Sequence, residues 1–171
     1  MKKVLLTGGK GMLGRTLCAE LTDFEVIPTD LPEADITDPA RFDALLKKFA
    51  PDAVIHCAAM TAVDKCESEI DLAFRLNAFG TANVAAACHR NGIRLIAIST
   101  DYVFDGTGHV PYSPDDETNP VSVYGKTKRD GEIAVLENAK CPVVIRTAWL
   151  YSVHGNNFVK TKNIKCNIIY H

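Results

Sequence analysis

The sequence predicts a doubly wound α/β fold around a parallel sheet, and three observations predict it. Five short apolar, β-branched runs recur along the chain. Longer stretches of helical periodicity separate them, and a glycine-spaced turn follows the first run directly. Strands buried on both faces read as near-continuous apolar segments. The runs Lys3 to Thr7, Phe24 to Thr29, Ala53 to Cys57, Arg94 to Ser99 and Val143 to Thr147 have that character. With 171 residues, 47% hydrophobic and 23% charged, the chain has the length and composition for one good core.

The first strand runs into Thr7-Gly8-Gly9-Lys10-Gly11-Met12-Leu13-Gly14, where Gly8, Gly11 and Gly14 are spaced GxxGxxG, and a helix is expected from Leu13 to Leu21. Between a strand and a helix, such glycines let the backbone turn tightly and approach a pyrophosphate. Its charge would meet the N–H groups at the helix start, so Gly8, Lys10, Gly11, Met12, Leu13 and Gly14 are candidate cofactor-binding residues of an NAD(P)-binding Rossmann fold. The second strand ends at Asp30, at the distance expected of a carboxylate that binds the adenosine ribose hydroxyls. A turn aspartate in Thr29-Asp30-Leu31-Pro32 is the other reading. An acid there repels a 2′-phosphate and favours NADH. Lys10 and Arg15 can neutralise one, so NADPH stays open.

Thr37-Asp38-Pro39 offers a cap followed by a first-turn proline, and Phe42, Leu45, Leu46 and Phe49 recur at helical spacing. After the third strand a helix is expected from about Asp71 to Arg90, ending at Asn91-Gly92. His56, in a strand among apolar neighbours, reads as structural. From Asp101 to Pro120, Gly106, Gly108, Pro111, Pro114 and Pro120 exclude a regular element, and a loop of that length in a compact domain is more often functional than incidental.

The next helix carries Tyr124 and Lys128, four residues apart and so on one face. Following the fourth strand, they fall at the carboxyl edge of the sheet, where such folds bind ligands. A phenol is a poor acid at neutral pH, and a neighbouring ammonium stabilises its ionised form. Thr100, at the end of the fourth strand, adds a hydroxyl that can donate to a developing alkoxide. Thr100, Tyr124 and Lys128 are therefore the candidate catalytic residues for ketone reduction, with Lys126 and Arg129 read as solvated helix charges.

The formal net charge of −2 supplies no general attraction for nucleic acid or an acidic membrane. Six cysteines, Cys18, Cys57, Cys66, Cys88, Cys141 and Cys166, form no CxxC pair and have no histidine at zinc-ligand spacing. Reduced packing thiols and no bound metal are expected. Met1-Lys2-Lys3 followed by Val4-Leu5-Leu6 is too short for a secretory core, and no run approaches a membrane span. The cytoplasm is the expected compartment, and a homodimer is compatible with the sequence.

Together these residues resemble the extended short-chain dehydrogenase/reductases and, more narrowly, the dTDP-4-dehydrorhamnose reductase family. The narrower likeness rests on His56-Cys57-Ala58-Ala59-Met60-Thr61-Ala62-Val63-Asp64-Lys65-Cys66-Glu67 and on Ser99-Thr100-Asp101-Tyr102-Val103-Phe104-Asp105-Gly106. It continues through Asn119-Pro120, Tyr124-Gly125-Lys126-Thr127-Lys128, Arg146-Thr147-Ala148-Trp149-Leu150-Tyr151 and Gly155-Asn156-Asn157-Phe158. The resemblance implies that Ala58, Ala59 and Thr61 line the cofactor, that Asp35 and Ile36 flank the adenine, and that Asn77 lies beneath the site. It implies Thr100, Tyr124 and Lys128 as the catalytic triad, with Val63, Asp101, Tyr102 and Trp149 near the sugar. For Trp149, packed core is an equal alternative. The reaction implied is reduction of the C4 ketone of dTDP-4-dehydro-L-rhamnose by NADH or NADPH to dTDP-L-rhamnose.

Two other functions stand beside it: a non-catalytic regulatory subunit resembling the β-subunit of methionine adenosyltransferase, and another NAD-dependent sugar-nucleotide reductase or epimerase. Dehydration is disfavoured, because Tyr102 stands where a dehydratase of this fold carries the second acid of an Asp-Glu pair. The likeness covers residues 1–161, expected as the NAD(P)-binding domain. Residues 162–171 read as an atypical tail of a frameshifted, truncated or vector-derived kind, with a natural short terminus as the other reading. The C-terminal substrate domain is expected to be largely absent, leaving a chain that binds a nicotinamide nucleotide but reduces its sugar poorly.

Overall fold

A computed structural model gives the structure of the protein and describes residues 1–155 and 157–161. The expectation for the tail at 162–171 lies outside the described residues. Five strands, β1 (Lys3–Thr7), β2 (Glu25–Thr29), β3 (Ala53–His56), β4 (Arg94–Thr100) and β5 (Val143–Thr147), form one parallel sheet in the order β2-β1-β3-β4-β5. Each expected strand is present, with ends within one residue of the sequence reading. Around the sheet run α1 (Met12–Glu20), α2 (Pro39–Phe49), α3 (Val63–Ser68), α4 (Ile70–Ala73), α5 (Thr81–Arg90), α6 (Val123–Asn138) and α7 (Phe158–Thr161). The chain reverses its winding between β1 and β3, and in doubly wound sheets the crevice at such a point receives the ligand.

The main core forms on one sheet face. Leu5, Val54 and Leu95 meet Phe42, Leu45 and Leu46 of α2, Val84 and Cys88 of α5, and Val135 of α6. Each fully buried side chain of this kind contributes about 1.5–3 kcal/mol relative to exposure. The cap expected for α2 is present: the Asp38 carboxylate accepts the Arg41 N–H at 3.0 Å, and Pro39 fills the first helical position. Gly92 takes φ +68° just past α5, as the left-handed cap requires.

Two segments differ from the sequence reading. The single helix expected from Asp71 to Arg90 is instead α4, π-helical turns over Phe74–Gly80, and α5. A π turn inserts extra residues and rotates the side chains it carries. Here it carries Asn77, wholly buried and hydrogen-bonded outside its own helix. The loop after β4 begins with one regular turn, a 3-10 helix over Asp101–Val103, whose first N–H groups are capped when the Thr100 hydroxyl accepts from Tyr102 N.

Candidate active site

At the carboxyl end of the sheet lies a cleft of about 560 Å³, walled by the turns after β1 and β3, the ends of β2 and β4, one face of α6, and residues 147–150 after β5. It brings together all the sequence-predicted site residues except Lys10. Gly8, Gly11, Met12, Leu13 and Gly14 form one end with Asp30, Asp35 and Ile36. Ala58, Ala59 and Thr61 form the middle, and Thr100, Tyr124 and Lys128 meet Val63, Asp101, Tyr102 and Trp149 at the other end. Lys10 stands outside the wall: its N–H donates to Asp30 Oδ2 at 3.0 Å and its ammonium to the Leu31 carbonyl at 3.2 Å.

The glycine end has the close backbone packing that a pyrophosphate site needs. Gly8 holds φ +69°, and a Cβ there would lie 2.8 Å from the Ala58 nitrogen. A Cβ on Gly14 would collide with the Gly8 carbonyl and Gly9. The turns after β1 and β3 are therefore in contact, and α1 starts flush against them. Asp38 caps α2 and Ser122 caps α6, whereas the N-terminus of α1 has no side-chain cap and no acid in its first turn. Its first N–H groups lack intrahelical partners and open on the cleft, an arrangement that suits a phosphate. The residues present thus fit a dinucleotide. At the same end of the cleft, Thr37 donates to Asp35 Oδ1 from its N–H at 2.9 Å and its hydroxyl at 2.7 Å, which holds the carboxyl below its usual range.

At the opposite end, Ser122 accepts from Gly125 N at 3.0 Å, and Glu67 Oε1 accepts from Val123 N at 2.7 Å. This fixes the start of α6, where Gly125 lies against the Tyr102 carbonyl with no room for a side chain. Tyr124 and Lys128 then face the cleft one turn apart, both buried. Burial pushes the Tyr124 phenol above its ordinary value of 10.0, and the Thr100 hydroxyl pulls it back in part. Burial also lowers Lys128 to about 8. At Tyr124 burial outweighs the Thr100 hydrogen bond, so the phenol keeps its proton at neutral pH. The Lys128 ammonium donates to the Ile98 carbonyl at 2.8 Å. Thr100 itself donates to Asp101 Oδ1 at 3.1 Å.

Supporting residues explain why these groups converge. Asn77 accepts from Met60 N at 2.8 Å and donates to Met60 O at 3.0 Å and Thr127 Oγ1 at 3.1 Å, tying the turn after β3 to α6. His56 is structural, as expected. It sits between the Thr7 and Thr81 hydroxyls at 2.8 and 3.1 Å, and burial lowers it to about 3, so the ring is neutral. Trp149 is not core: it is 66% exposed, at φ +52°, on the cleft wall. Tyr102 packs edge-on against Tyr124 with ring centres 5.6 Å apart. Lys126 is exposed as expected, and Arg129 is half-buried with its nearest acid at Asp130, 3.6 Å away.

Sequence reasoning missed Cys57, Ser99 and Thr147 on the cleft wall. Cys57 is pushed up to about 12 by burial and stays a thiol at neutral pH. Ser99 Oγ is buried and has no hydrogen-bond partner among the described residues, an orphan polar atom at a cleft wall, as expected where a ligand completes the site. Position at the carboxyl end of an expected strand was the available signal for all three.

A family model described as RmlD substrate binding domain matches residues 1–165. The dTDP-4-dehydrorhamnose reductase of Streptomyces griseus is 46% identical over 158 residues, covering 91% of this chain and 52% of that protein. Among solved structures, a dTDP-4-dehydrorhamnose reductase from Clostridium acetobutylicum superposes with TM-score 0.89 at 48% identity, covering 93% of this chain and 57% of that one. The Bacillus anthracis dTDP-4-dehydrorhamnose reductase in complex with NADP gives TM-score 0.92 at 40% identity, with 94% and 59% covered. The chain spans little more than half the length of the relatives it matches.

Proposed function

This chain belongs to the family described as RmlD substrate binding domain, and on that premise we propose that its cleft binds a reduced nicotinamide dinucleotide and serves reduction of the 4-ketone of a dTDP-4-dehydro-6-deoxy sugar, dTDP-4-dehydro-L-rhamnose first. The observation that carries this reading is one cleft in which an uncapped helix N-terminus at one end faces Thr100, Tyr124 and Lys128 at the other.

Gly8, Gly11 and Gly14 with the α1 N–H groups would hold the pyrophosphate, Asp30 the adenosine ribose, Asp35 and Ile36 the adenine flank, and Ala58, Ala59 and Thr61 the middle of the dinucleotide. When bound, the nicotinamide supplies a hydride. Tyr124 gives its proton to the carbonyl oxygen as negative charge develops there. Its raised pKa keeps that proton in place at neutral pH. Thr100, released from Asp101, donates a second hydrogen bond to the same oxygen. Lys128 adds positive charge beside the phenol and favours its ionised form once the proton has left. Val63, Asp101, Tyr102 and Trp149 are the proposed sugar-facing residues. Asp30 favours NADH, and Lys10 and Arg15 beside it leave room for NADPH. Free thiols at the five described cysteines suit a reducing compartment, so we place the protein in the cytoplasm.

The test is loss of NADH or NADPH absorbance on addition of the keto-sugar nucleotide, with product identification. Formation of dTDP-L-rhamnose supports the reading. Tight dinucleotide binding, with no turnover of any dTDP-4-keto sugar by the chain alone or joined to the remaining part of the Bacillus anthracis relative, would instead favour a regulatory binding protein.

A further inference from the structure

One turn beyond Lys128 on α6, Glu132 is 5% exposed and grips Arg146 of β5 through both oxygens. Arg146 Nε donates to Oε1 at 3.0 Å and Nη2 to Oε2 at 2.7 Å. The same guanidinium donates from Nη1 to the Pro114 carbonyl at 3.0 Å and lies 5.0 Å over the Phe104 ring, which stacks on Tyr112 at 4.1 Å. This partly buried ion pair thus joins α6, the strand that leads into Thr147 and Trp149, and the long loop after β4. A forked arginine–carboxylate pair is geometrically rigid, so it fixes where the helix lies against that loop.

The surroundings of Lys128 show why a carboxylate there matters. Around its ammonium are His56 and Cys57 from the end of β3, the Ile98 carbonyl of β4 and Glu132 one turn along its own helix, with Tyr124 one turn before it on the same helix face. Burial keeps His56 neutral, Cys57 a thiol and Tyr124 a phenol at neutral pH. Among these described groups Glu132 holds the one negative charge, while burial of Lys128, 6% exposed, works against the ammonium.

We propose that Glu132 is a positioning residue of the site: forked onto Arg146, it supplies the negative charge that keeps the buried Lys128 an ammonium, and it locks the loop after β4 to the helix bearing Tyr124. The inference rests on the reductase reading for its purpose, and for its effect on Lys128 on the place of Glu132 one turn along α6 together with the attraction of its carboxylate for the ammonium. Arg146 tempers the carboxylate, so the two partners act on Lys128 with opposite sign. A merely structural pair would not do so.

The experiment follows the titration of Lys128 by NMR in the whole chain labelled at lysine Cε, with the resonance assigned by its loss in Lys128→Arg. Glu132→Gln is expected to move the midpoint down from about 8 by about one unit, and Arg146→Gln to move it up. If Glu132→Gln does not fold, the Arg146→Gln shift decides by itself, upward in support and absent or downward against. No shift in folded Glu132→Gln, or shifts of the same sign in both variants, overturns the proposal. The alkaline limb of turnover should move with the NMR midpoint. If the opposite shifts appear while no keto sugar is reduced, the reductase reading fails and the placement of Glu132 stands.

Discussion

Replacing Gly8 with alanine tests whether the two turns that build the dinucleotide end are as close as the structure has them. Gly8 sits at φ +69°, where an L-residue costs about 1–2 kcal/mol. Its Cβ would also lie 2.8 Å from the Ala58 nitrogen and 2.9 Å from the Ala58 Cα, backbone atoms that cannot swing aside. Overpacking of this kind costs a further about 1–3 kcal/mol. The total expected is about 2–5 kcal/mol, a large part of a net stability of about 5–15 kcal/mol. Gly92 is the control: it has nearly the same φ, +68°, and nothing within 4 Å of a Cβ. Gly92→Ala should therefore lose only the conformational part. At about 2–4 °C per kcal/mol for a chain of this size, Gly8→Ala should lower Tm by about 4–20 °C and Gly92→Ala by about 2–8 °C. Thermal unfolding followed by circular dichroism, with dinucleotide titration of each variant, makes the comparison. Binding should weaken at least about tenfold, or 1.4 kcal/mol, in Gly8→Ala and stay unchanged in Gly92→Ala. Equal Tm losses, or unimpaired binding in Gly8→Ala, would refute the contact between the turns.

Two further outcomes follow from the same geometry. Asp30→Ala should weaken NADH binding more than NADPH binding, because one loses a ribose hydrogen bond and the other a repulsion; equal losses in paired fluorescence titrations would return Asp30 to a turn role. His56, lowered to about 3 from 6.5, binds no proton in the folded state while the unfolded chain binds one, so its stabilisation is complete above 6.5 and is lost as pH falls towards 3. The slope in that window is about 1.4 kcal/mol per pH unit. Urea unfolding should show His56→Gln losing less stability than the parent between about pH 6 and about pH 4, and parallel pH profiles would contradict the buried neutral ring.

What the sequence made legible was local. The five strands, the Asp38 cap of α2, the glycine turn and the Tyr124–Lys128 face are each written within a dozen residues, by apolar runs, turn chemistry and helical spacing. What stayed hidden depends on partners far along the chain. The π turns of Phe74–Gly80 carry Asn77, which bonds residues 17 and 50 positions away, and periodicity has no means of registering that. Glu132 and Arg146 are 14 positions apart, and nothing local in the sequence pairs them. Trp149 was undecided for a related reason: hydrophobicity argues for core, whereas the folded chain leaves it largely exposed on the cleft wall at φ +52°. Tyr124 was placed correctly, but the sign of its pKa change depends on burial, which a four-residue spacing does not report.

The role of Tyr124 as proton donor is tested most directly by Tyr124→Phe, with the parent and variant each measured alone and joined to the part of the 40% identical Bacillus anthracis reductase that this chain does not cover. Reduction of dTDP-4-dehydro-L-rhamnose and dissociation constants for NADH and NADPH are measured side by side. The phenyl ring keeps its place between Cys66, Ala73 and Tyr102 and loses only the hydroxyl. Turnover should fall about 10²- to 10⁴-fold, the usual contribution of a positioned general acid, with cofactor affinity held within about twofold. Near-parental turnover in Tyr124→Phe would contradict the assignment.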